Sequence, residues 1–267
     1  LHMSNYVDRC YGKSIICGEV ALERPVVIIG AGIGGLVAAA LLSARGHAVM
    51  VVEQADQVGG KASRETVNGA EIDAGPTVFT LRDVFEEIFA AAGGSFAELV
   101  KVAPAEVLAR HGWSGAERLD LFADSRRSED AIGAFAGADA ARGYRRFHAE
   151  AARIYAILEN AFLRDTKVSW PGPLMWRIGL WRLGALRAIR PYESLWKALG
   201  EHFADTRLRQ LYARYATYCG SSPFRAPATL MLIAHTEARG VWLIRGGMSA
   251  LADALRGLAE ANGARFR

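Results

Sequence analysis

The chain has 267 residues, 51% of them hydrophobic and 22% charged, and a formal net charge of +4. That balance excludes a disordered chain and leaves material for one large domain or two. The charge is too small to imply nucleic acid, and no run of about eighteen apolar residues lacks charges or breakers, as a transmembrane helix requires.

Residues 1–24 are polar and patternless and contain no continuous apolar core of a signal peptide. They read as an upstream extension, expected to be poorly ordered. Cys10, Cys17 and Cys219 give no disulfide framework, so an intracellular, reducing compartment is the simpler reading. Cys10 and Cys17 have no neighbouring His or Cys, and no metal site is expected.

The informative stretch runs from Val26 to Glu53. Val26–Ile29 has the length and β-branching of a buried strand, and it enters Gly30-Ala31-Gly32-Ile33-Gly34-Gly35. Gly30, Gly32 and Gly35 have G-x-G-x-x-G spacing. The first permits a tight turn, the second lets backbone approach a pyrophosphate, and the third lets helix and strand pack closely. An Ala- and Leu-rich helix follows and stops at Gly46; Ala48–Val52 is a second strand with Glu53 at its end, placed for ribose hydroxyls. A helix N-terminus aimed at the phosphates completes a dinucleotide site, against the alternative of a purely structural βαβ turn.

After Glu53 come Gly59, Gly60 and Lys61. This extension resembles the N-terminal signature of the two-dinucleotide-binding-domain flavoproteins. The resemblance implies FAD, with the Gly59–Gly60 turn close to its phosphates and Lys61 neutralising them. The plainer alternative is an ordinary hairpin turn.

Asn68-Gly69 between Ser63–Val67 and Ala70–Asp73 predicts a hairpin. Asp73-Ala74-Gly75-Pro76 then leaves as a loop, and Asp83–Ala92 is an amphipathic helix. In those flavoproteins such a turn lies near the flavin, which makes Asp73 and Gly75 site candidates; Asp73 serves equally well as a turn cap.

The run from Ile72 to Trp113, the block Tyr215–Phe224 with Ala226–Met231, and Gly240-Val241-Trp242 with Gly246-Gly247-Met248 resemble the bacterial carotenoid desaturases of the phytoene-desaturase type. Within that group they are most similar to the hydroxycarotenoid (methoxyneurosporene-type) 3,4-desaturases. The resemblance covers Pro25 to the end and implies an FAD-dependent dehydrogenation of an acyclic carotenoid in carotenoid biosynthesis. The implied fold class is α/β: a Rossmann-like FAD-binding domain with an inserted mixed β-sheet and helical substrate domain. The expected division is an extension at 1–24, FAD-binding βαβ and hairpin at 25–95, substrate domain at 96–245, and a return towards the FAD domain at 246–267.

Strands are expected at Leu99–Val102, Glu106–Arg110 and Glu117–Phe122, as one sheet flooring the substrate domain. His111 and Trp113, beside a turn, are either substrate contacts or structural. A helix opening at Ser128-Glu129-Asp130 and a long one from Ala140 to Arg164 follow; the apolar stripe of the second is core or tunnel lining. From Thr166 to Trp196 lie Trp170, Trp176, Trp181 and Trp196 with Lys167, Arg177, Arg182, Arg187 and Arg190. This composition suits a helix in a membrane interface, though the cations spread around the helix; a buried helical hairpin is the alternative. With a lipid-soluble carotenoid as substrate, the expected location is cytoplasmic, peripherally on the plasma or photosynthetic membrane of a bacterium. No nucleic-acid partner is expected.

Two helices broken near Asp205, a helix from Pro227 to Ala238, a strand at Val241–Ile244 and a helix at Met248–Ala261 complete the chain. His235 reads as a core histidine rather than a base. Arg265-Phe266-Arg267 stops where another strand would return to the nucleotide-binding sheet. Family members run to nearly twice this length and carry a second FAD-contacting glycine segment there. An unpaired sheet edge and an inactive or partner-dependent chain are therefore expected. Three other readings stay open: a phytoene desaturase, an amine-oxidase-like flavoprotein and a non-catalytic fragment.

Overall fold

The computed structural model describes residues 24–159, 163–164 and 183–267. The expectations placed on residues 1–23 and on Trp170, Trp176 and Trp181 lie outside these.

Strand β1 (Val26–Ile29), helix α1 (Ile33–Ala44) and strand β2 (Val49–Val52) form the expected βαβ unit, β1 and β2 pairing in parallel from Val26↔Val49 to Ile29↔Val52. Gly46 takes a φ of +85° just past the helix, a conformation side chains avoid, and so closes it as predicted. Leu36, Ala39 and Ala40 of α1 and Val49 and Val51 of β2 are buried. The hairpin β3 (Arg64–Val67) and β4 (Ala70–Asp73) forms around Asn68-Gly69, both with positive φ as a tight hairpin turn demands.

Helix α2 (Arg82–Ala91) leads through Gly93-Gly94 to a departure from expectation. Phe96–Leu99 is a helical turn, α3, so Leu99, expected to open a strand, closes a helix and the strand begins only at Val102. The ring of Phe96 packs on Phe79 and Phe89 at 5.8 and 5.4 Å, and burying this aromatic trio outweighs local β propensity. Strand β5 (Val102–Pro104) then pairs antiparallel with β8 (Trp242–Ile244), while β6 (Val107–Gly112) and β7 (Arg118–Phe122), among the described residues, pair only with each other. The expected single three-stranded floor is thus two separate ribbons, because β5 finds its partner far along the chain.

Helix α4 (Ser125–Ala136) opens earlier than expected, capped by Asp124, whose carboxylate accepts the N–H groups of Arg126 and Arg127. Ser128 does not cap; its hydroxyl bonds the N–H and C=O of Phe122. Helix α5 (Ala138–Leu158) passes into π-helical backbone at Glu159, and Arg164 N–H donates to Glu159 O at 2.9 Å. After α6 (Leu183–Ala188), helices α7 (Leu195–His202) and α8 (Thr206–Ala213) divide at Asp205, which caps α8 through Arg207 N–H at 2.8 Å. The helix expected from Pro227 is a 3-10 turn, Ala228–Met231, continued by α9 (Leu232–Ala238).

Helix α10 (Met248–Ala261) packs along α1, where Ser43 Oγ reaches Ala259 O. Strand β9 (Arg265–Phe266) pairs in parallel with β2, giving the sheet order β1-β2-β9. The last residues are therefore the returning strand itself, and β1 and β9 are the two edges of this sheet among the described residues. Buried side chains form two clusters. One joins β2, α1, α2, α3 and α10; the other joins β7, α4, α5, α7, α8 and α9.

Candidate functional site

The glycine turn between β1 and α1 is held from both sides. Gly30 takes a φ of +96°, and its N–H donates to Val52 O at 2.7 Å. A side chain at Gly35 would overlap the Gly30 carbonyl, so the helix crosses the strand only because position 35 is bare. Gly32 and Gly34 differ: a Cβ there would meet nothing within 4 Å. Gly32 stands as N-cap of α1 with no side chain capping the helix and no acid in its first turn. The backbone N–H groups at this end are therefore available to an anion, and the dipole favours one.

The second glycine pair docks on the first. Gly59 N–H donates to Ala31 O at 2.8 Å, and a Cβ on Gly60 would lie 3.2 Å from Gly32 Cα. Gly75 is pressed onto the Lys61 carbonyl, where any side chain would overlap it. Lys61 itself is exposed beside these turns. The structure thus brings Gly30, Gly32, Gly34, Gly35, Gly59, Gly60, Lys61 and Gly75 together.

Glu53 does more than its position at the strand end suggests. Its Oε2 accepts Ala31 N–H at 2.6 Å, and Oε1 accepts the N–H groups of Gln54 and Ala55 at 2.9 and 3.0 Å. These bonds, that from Ala31 foremost, hold its carboxyl below the usual carboxylate range. A carboxylate offers about four lone-pair positions, so capacity remains at Oε2 for a hydroxyl donor such as ribose. The Glu53 N–H donates to Arg267 O at 2.9 Å, placing β9 beside this corner. Open space at Gly32 and Gly34, bare helix N–H groups, a cation and an anchored carboxylate suit a dinucleotide.

Asp73 is engaged by a distant helix. Its Oδ1 accepts Met248 N–H at 2.8 Å, capping α10 instead of its own turn. Trp113 Nε1 donates to Gln210 at 3.0 Å and its ring packs on Phe135 at 5.2 Å, which favours the structural role for it and for His111 stacked beside it. His235 packs on Tyr155 at 4.9 Å, and burial keeps its pKa down. Sequence reasoning missed two arginine clusters. Arg190 bonds Glu193, Glu150 and Glu201 at 2.6, 3.1 and 2.6 Å, and Asp83 Oδ2 is shared by Arg164 and Arg239 at 2.9 and 3.0 Å.

Residues 28–92 match the family described as NAD(P)-binding Rossmann-like domain. The chain is 51% identical over 243 residues to a hydroxyneurosporene desaturase of Rubrivivax gelatinosus, covering 91% of this chain and 46% of that protein. The chain is similar to the carotenoid desaturases. A phytoene dehydrogenase of Streptomyces griseus is 37% identical, covering 91% of this chain and 47% of its own. The chain spans about half the length of the curated relatives it matches. Among solved structures, cyclohexylamine oxidase of Brevibacterium oxydans superposes with a TM-score of 0.53 at 17% identity, covering 91% of this chain and 51% of that one, a likeness of fold. The resemblance read from Ile72–Trp113 and Tyr215–Met231 holds, and so does the α/β Rossmann-like class.

Proposed function

We propose that the chain provides the FAD-binding region and part of the substrate-binding region of an FAD-dependent carotenoid desaturase, acting in carotenoid biosynthesis on an acyclic 1-hydroxycarotenoid at its 3,4 bond. The observation that carries the cofactor assignment is the docking of two glycine turns around open space at Gly32 and Gly34, beside the Glu53 carboxylate. The subfamily assignment is supported by identity falling from 51% with a hydroxyneurosporene desaturase to 37% with a phytoene dehydrogenase.

Backbone N–H groups from Gly32 to Gly34 would hold the pyrophosphate, with the Lys61 ammonium neutralising it. Glu53 would take a ribose hydroxyl on Oε2 while its other bonds keep the loop in place. FAD, when bound, would supply the oxidant for removing two hydrogens from a CH–CH bond, one as a hydride equivalent to the flavin and one as a proton to solvent. The chain's task is to hold an apolar polyene and exclude water, so no residue is assigned as acid or base.

No described helix is long and apolar enough to cross a membrane. A substrate dissolved in lipid makes peripheral contact with the membrane of a bacterium the fitting arrangement. The test is a visible spectrum of the purified chain after incubation with FAD and desalting. Retained flavin bands are expected; a colourless protein overturns FAD binding by this chain. Chains that retain flavin should then desaturate a lipid-dispersed 1-hydroxycarotenoid, and turnover of amines alone would displace the carotenoid reading.

A further inference from the structure

Between the β6–β7 ribbon and helices α4, α5, α8 and α9 lies a small recess whose walls include Leu121, Tyr144, His148, Tyr212, Tyr215 and Glu237. Tyr212 is 1% exposed, and its hydroxyl has no hydrogen-bond partner among the described residues. Its ring cannot turn elsewhere, being packed on Phe147 at 4.6 Å and stacked on Phe203 at 5.2 Å. Two of the neighbouring polar groups, Tyr215 and Glu237, are already committed to each other. Tyr215 donates to Glu237 Oε2 at 2.9 Å, and Arg214 holds both Glu237 oxygens at 3.1 and 2.8 Å.

His148 stands on the same wall, its ring 4.2 Å from that of Tyr144. Burial, with His235 nearby, pushes its pKa down to about 4, so at neutral pH its imidazole is uncharged and one nitrogen accepts. A buried phenol without a partner is costly, and cores pair such groups with protein or with a bound oxygen. Exposed Ala123 and Ser125 line the same recess and give it a mouth.

We propose that this recess is a binding site for one hydroxyl oxygen, held by the Tyr212 hydroxyl. Two sources share that chemistry: a water, or the alcohol end of a hydroxylated polyene. The second rests on the desaturase reading above and the first does not. A site built to hydrogen-bond an alcohol rejects the analogue lacking it far more strongly than an apolar pocket can reject an added group.

The deciding variant is Tyr212→Phe, which removes a single oxygen. If the hydroxyl is bonded to a bound oxygen, the melting temperature falls by about 2–4 °C. An unchanged or higher melting temperature overturns the proposal, because deleting an orphaned buried hydroxyl relieves the core. Should the variant not fold, a crystal structure of the unaltered chain decides, by showing or lacking an oxygen within about 3 Å of Tyr212 Oη. The source is read from tryptophan quenching by a vesicle-dispersed acyclic carotenoid with and without its terminal hydroxyl. Tighter binding of the hydroxylated form, erased in Tyr212→Phe, assigns the alcohol; equal binding assigns water. Binding of neither fails the desaturase reading while the melting result stands.

Discussion

The Asp73 carboxylate accepts the backbone N–H of Met248 across 175 positions of sequence, at 2.8 Å, and so ties the end of a hairpin to the start of a distant helix. Gly247 makes this possible, since a side chain there would overlap the carboxylate. Asp73→Ala is expected to lower stability by about 1 kcal/mol, the usual worth of a helix cap, with Asp73→Asn losing less. Urea midpoints at fixed slope measure this. A variant that keeps its midpoint yet loses flavin would place Asp73 at the cofactor after all.

The glycine turn should separate stability from binding. Gly32→Ala has a φ of −68° and open space, so its melting temperature should stay within about 2 °C of the parent, a change typical of benign substitutions. Flavin affinity should nevertheless fall at least about tenfold, because the new methyl occupies the approach to the pyrophosphate. Gly35→Ala should fail at the level of folding, since its methyl overlaps the Gly30 carbonyl. Flavin titration beside thermal melts tests both.

Arg190 is only 16% exposed in its side chain and serves three carboxylates. Replacing it with Met leaves Glu150 and Glu193 half-buried without their cation, at a cost of about 3 kcal/mol. Glu150 also has His202 at 2.9 Å, the leading reason its carboxyl titrates low, so the charge there cannot easily be neutralised. A loss under about 1 kcal/mol in denaturant would show the cluster to be dispensable.

His148 predicts an acid sensitivity. Its folded pKa, about 4, lies below the ordinary 6.5, so the unfolded chain binds the proton first. The stability it contributes is complete above pH 6.5 and is lost as pH falls towards 4, by up to about 3 kcal/mol. Glu237, raised by burial, acts in the opposite sense as pH rises, so the comparison must be a difference. Subtracting the stability profile of His148→Gln from that of the parent should leave a slope confined to this window.

What the sequence disclosed was local. Asn68-Gly69 announced its hairpin, Asp205 its helix start, and the Gly30–Gly35 run its turn, because each depends on neighbours a few positions away. Its non-local content stayed hidden. Nothing near Ala103 says that Leu243 will lie opposite it, and nothing near Asp73 points to Met248. Leu99 read as the start of a strand, whereas the packing of Phe96 on Phe79 and Phe89 holds Phe96–Leu99 as a helical turn. At the candidate site the glycines were legible by spacing, whereas the second duty of Glu53, on Ala31 N–H, requires knowing how the loop folds back.

Strand β1 has β2 as its one neighbour among the described residues, and Ile29 and Val27 on it are 90% and 55% exposed. A bare strand edge next to aliphatic side chains is a template on which other chains can add. In the test tube this makes concentration the adversary: purified chain should turn turbid as it is concentrated at constant temperature, and a charge placed at Val27, away from the glycine turn, should delay that onset.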